Sequence, residues 1–445
     1  MNKFVILTVL LFSLCTHAND HYRTEYYRAL PFKETPYPKL RGVYQMSAEE
    51  AETNNHYAFY FDKQNRLSKV TFGIGNTLKN PEDYWYTEPD ALMAPVTTIS
   101  FEENRETHHF FNVNGMPVYV GDVFKQVFYY DKKVRTRMEF QDRAGEVVNN
   151  QNNVSYYTWT TLENGDVIEN RYNTEGELQP TRPRFEYETV KLSFNSDGLL
   201  ALIQNIDPKT QQLRTDSTGA AQNSFLYNEF GNFIKWVVMN EKGEAVIGTS
   251  GVAYENQFYQ QAKLTHAYFY DGDGKRLALP WGPYSRKQEY DNHGNSVADI
   301  FLDIDDKIVV SEYGIAQINR KYIKNGQYLD TTEYLDSSGK LAMFSLRGYA
   351  KIKYLYNANG QLIEERYFDD QNKLISEKTN QLAVKKIRYE GNLLKTLSTY
   401  DAQGNLTIDN DNGASLVHYD YDKENINTKI TYSHNNTVIK VIQRK

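Results

Sequence analysis

An aromatic residue leading into a turn recurs through the C-terminal half of this chain at Phe194, Tyr227, Tyr259, Tyr290, Tyr322, Tyr356, Tyr389 and Tyr421, every 31 to 34 residues. A period of that length marks stacked supersecondary units, each too small to bury its own apolar face. In most units Gly or Asn stands four positions after the aromatic, as in Tyr356-Asn357-Ala358-Asn359-Gly360; Lys263 and Leu393 replace it in two. A second turn element keeps the same period at Asp207, Asn240, Asp271, Asp303, Asp336, Asp369 and Asp401. A third feature holds the register too. Gly219, Gly251, Gly282, Gly314, Gly348 and Gly413 lie eight residues before the aromatics, with Ala221, Ala253, Ala316, Ala350, Ala383 and Ser415 in the small position two residues on. Gln381 replaces the glycine in one unit, and Tyr284 breaks the small-residue rule in another.

The turn chemistry explains the spacing. Asp or Asn in first position bonds the backbone two residues on, and Gly in fourth accepts a left-handed conformation. Together they predict short hairpin connections, often a type I turn with a glycine bulge. The small side chain recurring in all but one unit predicts a crowded position where one repeat backs on its neighbour. Alternation gives each strand one apolar face: Ile352, Tyr354 and Tyr356 point one way, Lys351 and Lys353 the other. Three turns per period imply about three strands per repeat and roughly two dozen in all, which twist prevents from staying flat. The expected fold is therefore all-β: tandem repeats of about 33 residues forming a curled antiparallel sheet, a spiral or solenoid. A β-propeller is the alternative, although its blades run to about 40 residues or more.

Upstream the pattern is looser. Phe61-Asp62-Lys63-Gln64-Asn65, Phe111 to Gly115, Gln141 to Gly145 and Tyr172 to Gly176 are turn elements of the same kind, so residues 61–193 read as diverged repeats. Within them residues 78–96, with three prolines, read as an inserted loop, and residues 194–445 form the regular array. Residues 19–60 read as an irregular N-terminal cap over the array's edge, with Ser47 and Glu50 placed to form a helix capping box.

Residues 1–18 have the layout of a secretory signal: Lys3, an apolar run from Phe4 to Leu14, and Thr16-His17-Ala18 as a cleavage site. Export to the periplasm or beyond is expected. Leu14 before Cys15 is a poor fit to a lipoprotein signal, the rival reading. The apolar run is too short to span a bilayer, and no transmembrane segment follows. Cleavage after Ala18 leaves a chain without cysteine, so stability must come from burial and hydrogen bonds. The formal charge of −7 and the interspersed charges argue against nucleic acid and anionic lipid.

The unit Tyr356-Asn-Ala-Asn-Gly-Gln-Leu-Ile-Glu-Glu-Arg-Tyr resembles the tyrosine-aspartate repeats of the Rhs family and is similar to the hairpin repeats of MORN and YwqK-antitoxin proteins. The likeness spans residues 61–445 and implies a curling antiparallel sheet. Rhs proteins wrap a toxic C-terminal cargo. This chain is shorter, has a longer period and shows no appended toxin domain, so encapsulation is not expected. No functional residue carries over. A toxin-neutralising, immunity-type role is what the YwqK likeness would imply.

Catalytic signatures are lacking: no nucleophile elbow, phosphate loop, dinucleotide fingerprint or zinc-protease motif occurs. His108 and His109, adjacent on a strand, face opposite sides, so they read as strand positions and not as paired metal ligands. The acidic runs Asp271 to Gly274, Asp303 to Asp306 and Asp409 to Gly413 fall at turns or loops and match no calcium loop. No catalytic residue, metal site or cofactor is therefore assigned. Among Trp85, Trp159, Trp236 and Trp281, the last sits in Pro280-Trp281-Gly282-Pro283, where a ring is hard to bury, which makes Trp281 the candidate ligand-binding residue. The expected function is a non-catalytic binding or scaffolding module of the cell envelope, with a protein or glycan partner. The alternative is a glycan-active enzyme with its site in residues 19–193.

Overall fold

A computed structural model describes residues 22–81, 94–180 and 186–444. The signal segment, Trp85 and most of the expected loop at 78–96 lie outside them. The described residues form one all-β sheet of 28 antiparallel strands and a single short helix. From Asn55–Phe61 onward nearly every strand pairs with the next in sequence, ending at Thr437–Gln443. The start of the sheet is different: Arg23–Ala29 lies between Val43–Met46 and Asn55–Phe61. The first and last strands do not pair with each other, so the sheet is open and not a closed propeller.

The hairpin Lys351–Tyr356 and Leu362–Phe368 shows how one unit is built. Asn357 closes its turn in both directions. Its Oδ1 accepts from the amides of Asn359 and Gln361, each at 3.0 Å, and its carbonyl accepts from Gly360 N–H at 3.0 Å. Gly360 has φ +78°, and a side chain there would also collide with the Tyr328 hydroxyl at 2.1 Å. A register shift falls between Leu355 and Tyr356. The same shift stands immediately before Phe194, Tyr227, Tyr259, Tyr290, Tyr322, Tyr389 and Tyr421. The recurring aromatic is thus a bulge residue, and the bulge tilts it off the regular pleat.

The small position is as crowded as its spacing implies. Ala221, Ala253, Ala316, Ala350 and Ala383 are completely buried. Ala350 N–H donates to Phe368 in its own unit at 2.8 Å, while its carbonyl accepts from Tyr334 of the preceding unit at 2.9 Å. One residue therefore joins two repeats, and a larger side chain has nowhere to go.

The strand count per repeat differs from the expectation. Each regular unit holds two ladder strands, and the segment after the second turn makes only isolated bridges such as Leu335 with Leu341 and Phe344 with Tyr349. That arm is too short to extend the sheet. It folds over it, laying Ala342 and Phe344 on the cluster of Phe301, Tyr334 and Ile352. The third turns bond to one another instead: Glu312 N–H to Trp281 O at 3.0 Å, Ser345 N–H to Tyr313 O at 3.0 Å, and Lys378 N–H to Arg347 O at 2.7 Å.

The sheet coils back on itself. Asn55 N–H donates to His293 O at 2.8 Å, and the Lys79 ammonium reaches Gly326 O, 247 residues away, at 2.9 Å. Arg143 pairs with Asp422 and Glu424, and Arg444 reaches Asp122. Accumulated strand twist thus brings hairpin ends of one turn of the spiral onto those of the next.

Residues 22–60 are more ordered than an irregular cap. They hold three strands and the helix Ala48–Thr53, whose Ser47 and Glu50 form both halves of the capping box. Residues 30–42 then run through the concave side. Phe32 stacks on Phe233 at 4.8 Å, and Arg135 Nη1 donates to the carbonyls of Pro36, Tyr37 and Pro38 at 2.9 to 3.1 Å. This segment completes the large core of Phe59, Phe72, Phe128, Met138, Tyr157, Leu192 and their neighbours. The later repeats have much smaller apolar clusters, and their concave side stays open.

Candidate functional site

The open concave side is a cavity of about 880 Å³ among the described residues. Its wall is the row of bulge tyrosines: Tyr259, Tyr290, Tyr322, Tyr356 and Tyr389 all line it. All are half-buried. Two strands per repeat set successive rings roughly 9–10 Å apart. The phenols of Tyr290 and Tyr356 are turned into the wall, donating to Leu264 O at 3.0 Å and Leu329 O at 2.8 Å. Burial pushes the Tyr259 and Tyr356 phenols well above their ordinary range, so they remain neutral.

The electrostatics of the wall oppose those of the chain. Among the described residues, Arg28, Lys33, Arg41, Lys79, Lys263, Arg286 and Arg320 line the cavity, against one carboxylate, Asp299. Asp299 accepts from Gln288 at 2.7 Å, Arg286 at 2.9 Å and Arg320 at 2.8 Å. Burial alone would raise its pKa, but the two guanidinium groups outweigh that and hold it below the usual carboxylate range. The described lining is cationic inside a protein whose formal charge is −7. A cleft of one sign with low-dielectric walls concentrates its field on whatever enters.

Arg28 and Lys263 are far apart in the sequence and meet beside Gly294. A methyl group on Gly294 would lie 3.3 Å from Lys263 Nζ and 3.8 Å from Arg28 Nη1. Burial, and after it the Arg28 charge, press the Lys263 ammonium below its ordinary value, and burial does the same to Arg28.

The residues singled out in the sequence lie elsewhere. Trp281 does not line the cavity. It occupies the third-turn column, half-buried, with its ring edge-on to Phe301 at 4.8 Å and parallel to Tyr313 at 6.3 Å. Trp159 donates to Glu169 at 2.7 Å inside the large core, and Trp236 donates to Asn223 at 2.8 Å. His108 is buried against Glu106 at 2.7 Å, while His109 is on the other face of its strand. Asp271, Asp303 and Asp409 spend their carboxylates on the amides of their own turns. No group of three His, Cys, Asp or Glu side chains that could hold a metal occurs among the described residues.

The cationic wall escaped sequence reading because its members are scattered from Arg28 to Arg320. One signal was present. Lys263 stands where most repeats place Gly or Asn after the aromatic, and there a two-residue turn, Gln261-Ala262 with φ of +50° and +58°, replaces the longer one and returns Lys263 to the strand. A departure from the repeat marked the site.

No family model matches this chain, and no curated protein matches it. Solved structures similar to it include a crystal structure of TcdB2-TccC3, 9% identical with a TM-score of 0.35, covering 94% of this chain and 26% of that one. The Tc holotoxin pore of Photorhabdus luminescens is 9% identical with a TM-score of 0.27, covering 87% of this chain and 22% of that one. A porin-like protein from Bacteroides uniformis is 12% identical with a TM-score of 0.18, covering 70% of this chain and 93% of that one. The chain therefore spans about a quarter of the length of the first two.

Proposed function

We propose that this is a non-catalytic binding protein of the cell envelope, exported by residues 1–18, whose cavity holds an acidic oligosaccharide. The observation that carries the reading is the wall itself, where a regular row of tyrosine rings shares one cavity with seven cationic side chains. Ring faces suit the apolar C–H faces of sugars, the amides of Gln288, Gln327 and Asn359 suit their hydroxyls, and the cations suit their acidic groups. The volume falls within the range of small-ligand sites, about 300–1,000 Å³.

Catalysis is the weaker reading. Glycoside hydrolysis commonly uses two carboxyl groups across the scissile bond. The described lining brings one, and it is locked between Arg286 and Arg320. Calorimetric titration of the mature protein with uronic-acid oligosaccharides and with neutral ones of equal length tests the proposal. Acidic chains are expected to bind, more weakly as salt rises, and to bind less well to Tyr389→Ala. Equal binding of both series, no binding of either, or release of shortened products would overturn it.

A further inference from the structure

We infer that Arg28 and Lys263 form an anion-binding subsite beside Gly294, which takes a carboxylate, phosphate or sulfate group. The inference deepens the reading of the cavity as a ligand site. It stands on geometry that an inorganic ion can test without any natural ligand.

Arg28 is only 8% exposed, and its Nε is buried with no hydrogen-bond partner among the described residues. Its guanidinium stands 5.5 Å from the centre of the Tyr44 ring, and the Lys263 ammonium 5.6 Å from that of Tyr290. Those π faces are weak partners for a full charge. No carboxylate of the described residues pairs with either cation. Asp291 is near Lys263, but its oxygens accept from the amides of His293 and Asn295 and from the Asn295 side chain. Glu50 is near Arg28, but its carboxylate accepts from Ser47 N–H.

Two like charges in a partly desolvated wall repel, and a buried guanidinium donor without an acceptor adds to the cost. Chains tolerate such an arrangement where a ligand resolves it. Gly294 supplies the room: any side chain there would press on the Lys263 ammonium, whereas hydrogen leaves a niche that both cations flank. An oxyanion in that niche would accept from Lys263 Nζ and Arg28 Nη1 together, a pair of charge-assisted hydrogen bonds. Arg28 comes from the second residue from the end of the strand Arg23–Ala29 and Lys263 from the first residue of Lys263–Tyr270, so the niche is held by two rigid elements.

Thermal unfolding and calorimetry of the full mature chain in sodium phosphate, sodium sulfate or sodium acetate, against chloride at matched ionic strength, provide the test. Each oxyanion is expected to raise the Tm above chloride, and their order identifies the preferred group. Lys263→Gln should weaken phosphate binding about tenfold or more. In chloride it should unfold no earlier than wild type, because a repulsion has been removed. Arg28→Lys should retain only part of the affinity, since one ammonium replaces a forked donor. No oxyanion-specific rise in wild type would overturn the subsite. So would Lys263→Gln binding phosphate as tightly as wild type. Phosphate binding with no oligosaccharide bound would keep the subsite and remove the glycan reading; the reverse result would do the opposite.

Discussion

The Tyr356 phenol donates a 2.8 Å hydrogen bond to the carbonyl oxygen of Leu329, 27 residues earlier in the preceding repeat. Tyr227 makes the same bond to Leu200 and Tyr421 to Leu394, both also at 2.8 Å across 27 residues. The recurring tyrosine is therefore a clamp between successive units as well as a bulge residue, which is why the position favours Tyr over Phe.

The clamp sets a first expectation. Tyr356→Phe leaves the Leu329 carbonyl without this donor and should cost about 1 kcal/mol. Tyr389 has no phenol hydrogen bond among the described residues, so Tyr389→Phe should cost much less. Denaturant midpoints of the two variants separate the cases; equal losses would remove the clamp from the account.

A second concerns acid. Burial would raise the Glu106 carboxyl, but His108, Arg135 and Tyr130 around it outweigh burial and hold it at about 2 against an ordinary 4.5. A carboxyl depressed on folding contributes stability that is complete above its unfolded value and is lost as pH falls through the folded one. Wild type should thus lose roughly 3 kcal/mol from this group between about pH 4.5 and 2. Glu106→Gln should be less stable at neutral pH, with Arg135 left without its carboxylate partner, and should show a flatter profile across that window. Urea unfolding at a series of pH values reads both.

A third tests the repeat register. Deleting residues 357–389 removes one whole period and rejoins Tyr356 to the turn after Tyr389, so the shortened array should still unfold cooperatively. It should be less stable than wild type, because Arg143 no longer meets Asp422 and Glu424 on the next turn of the spiral. Deleting residues 340–356 removes half a unit, Ala350 included, and leaves Tyr334 and Phe368 without the residue that joins them; no cooperative transition is expected. Comparable transitions from both deletions would contradict the register.

Much of the fold was legible because local chemistry repeats. The Asn357 and Asp369 turns, the bulge, the buried Ala350 and the Ser47 to Glu50 capping box each depend on residues a few positions apart. The third turn was legible as a turn but misleading as a strand boundary. Spacing shows where the chain reverses, not whether the arm that follows joins a ladder or folds across it, as Phe344 does against Tyr334. The choice of Trp281 rested on its turn, and turns usually face water. Here the third turns stack, so the ring lies beside Phe301 and Tyr313.

The sequence by itself determined the unit: its period, its two hairpin turns, its crowded alanine and its all-β character, because each arises from hydrogen bonds and steric limits between near neighbours. Only the tertiary structure decided the cavity. How far the sheet coils is the sum of small twists over many strands, and no single residue carries that sum. Arg28, Lys263 and Arg320 become neighbours in a basic wall only once the coil has closed on residues 30–42, which is why a chain of net negative charge could conceal a positive interior.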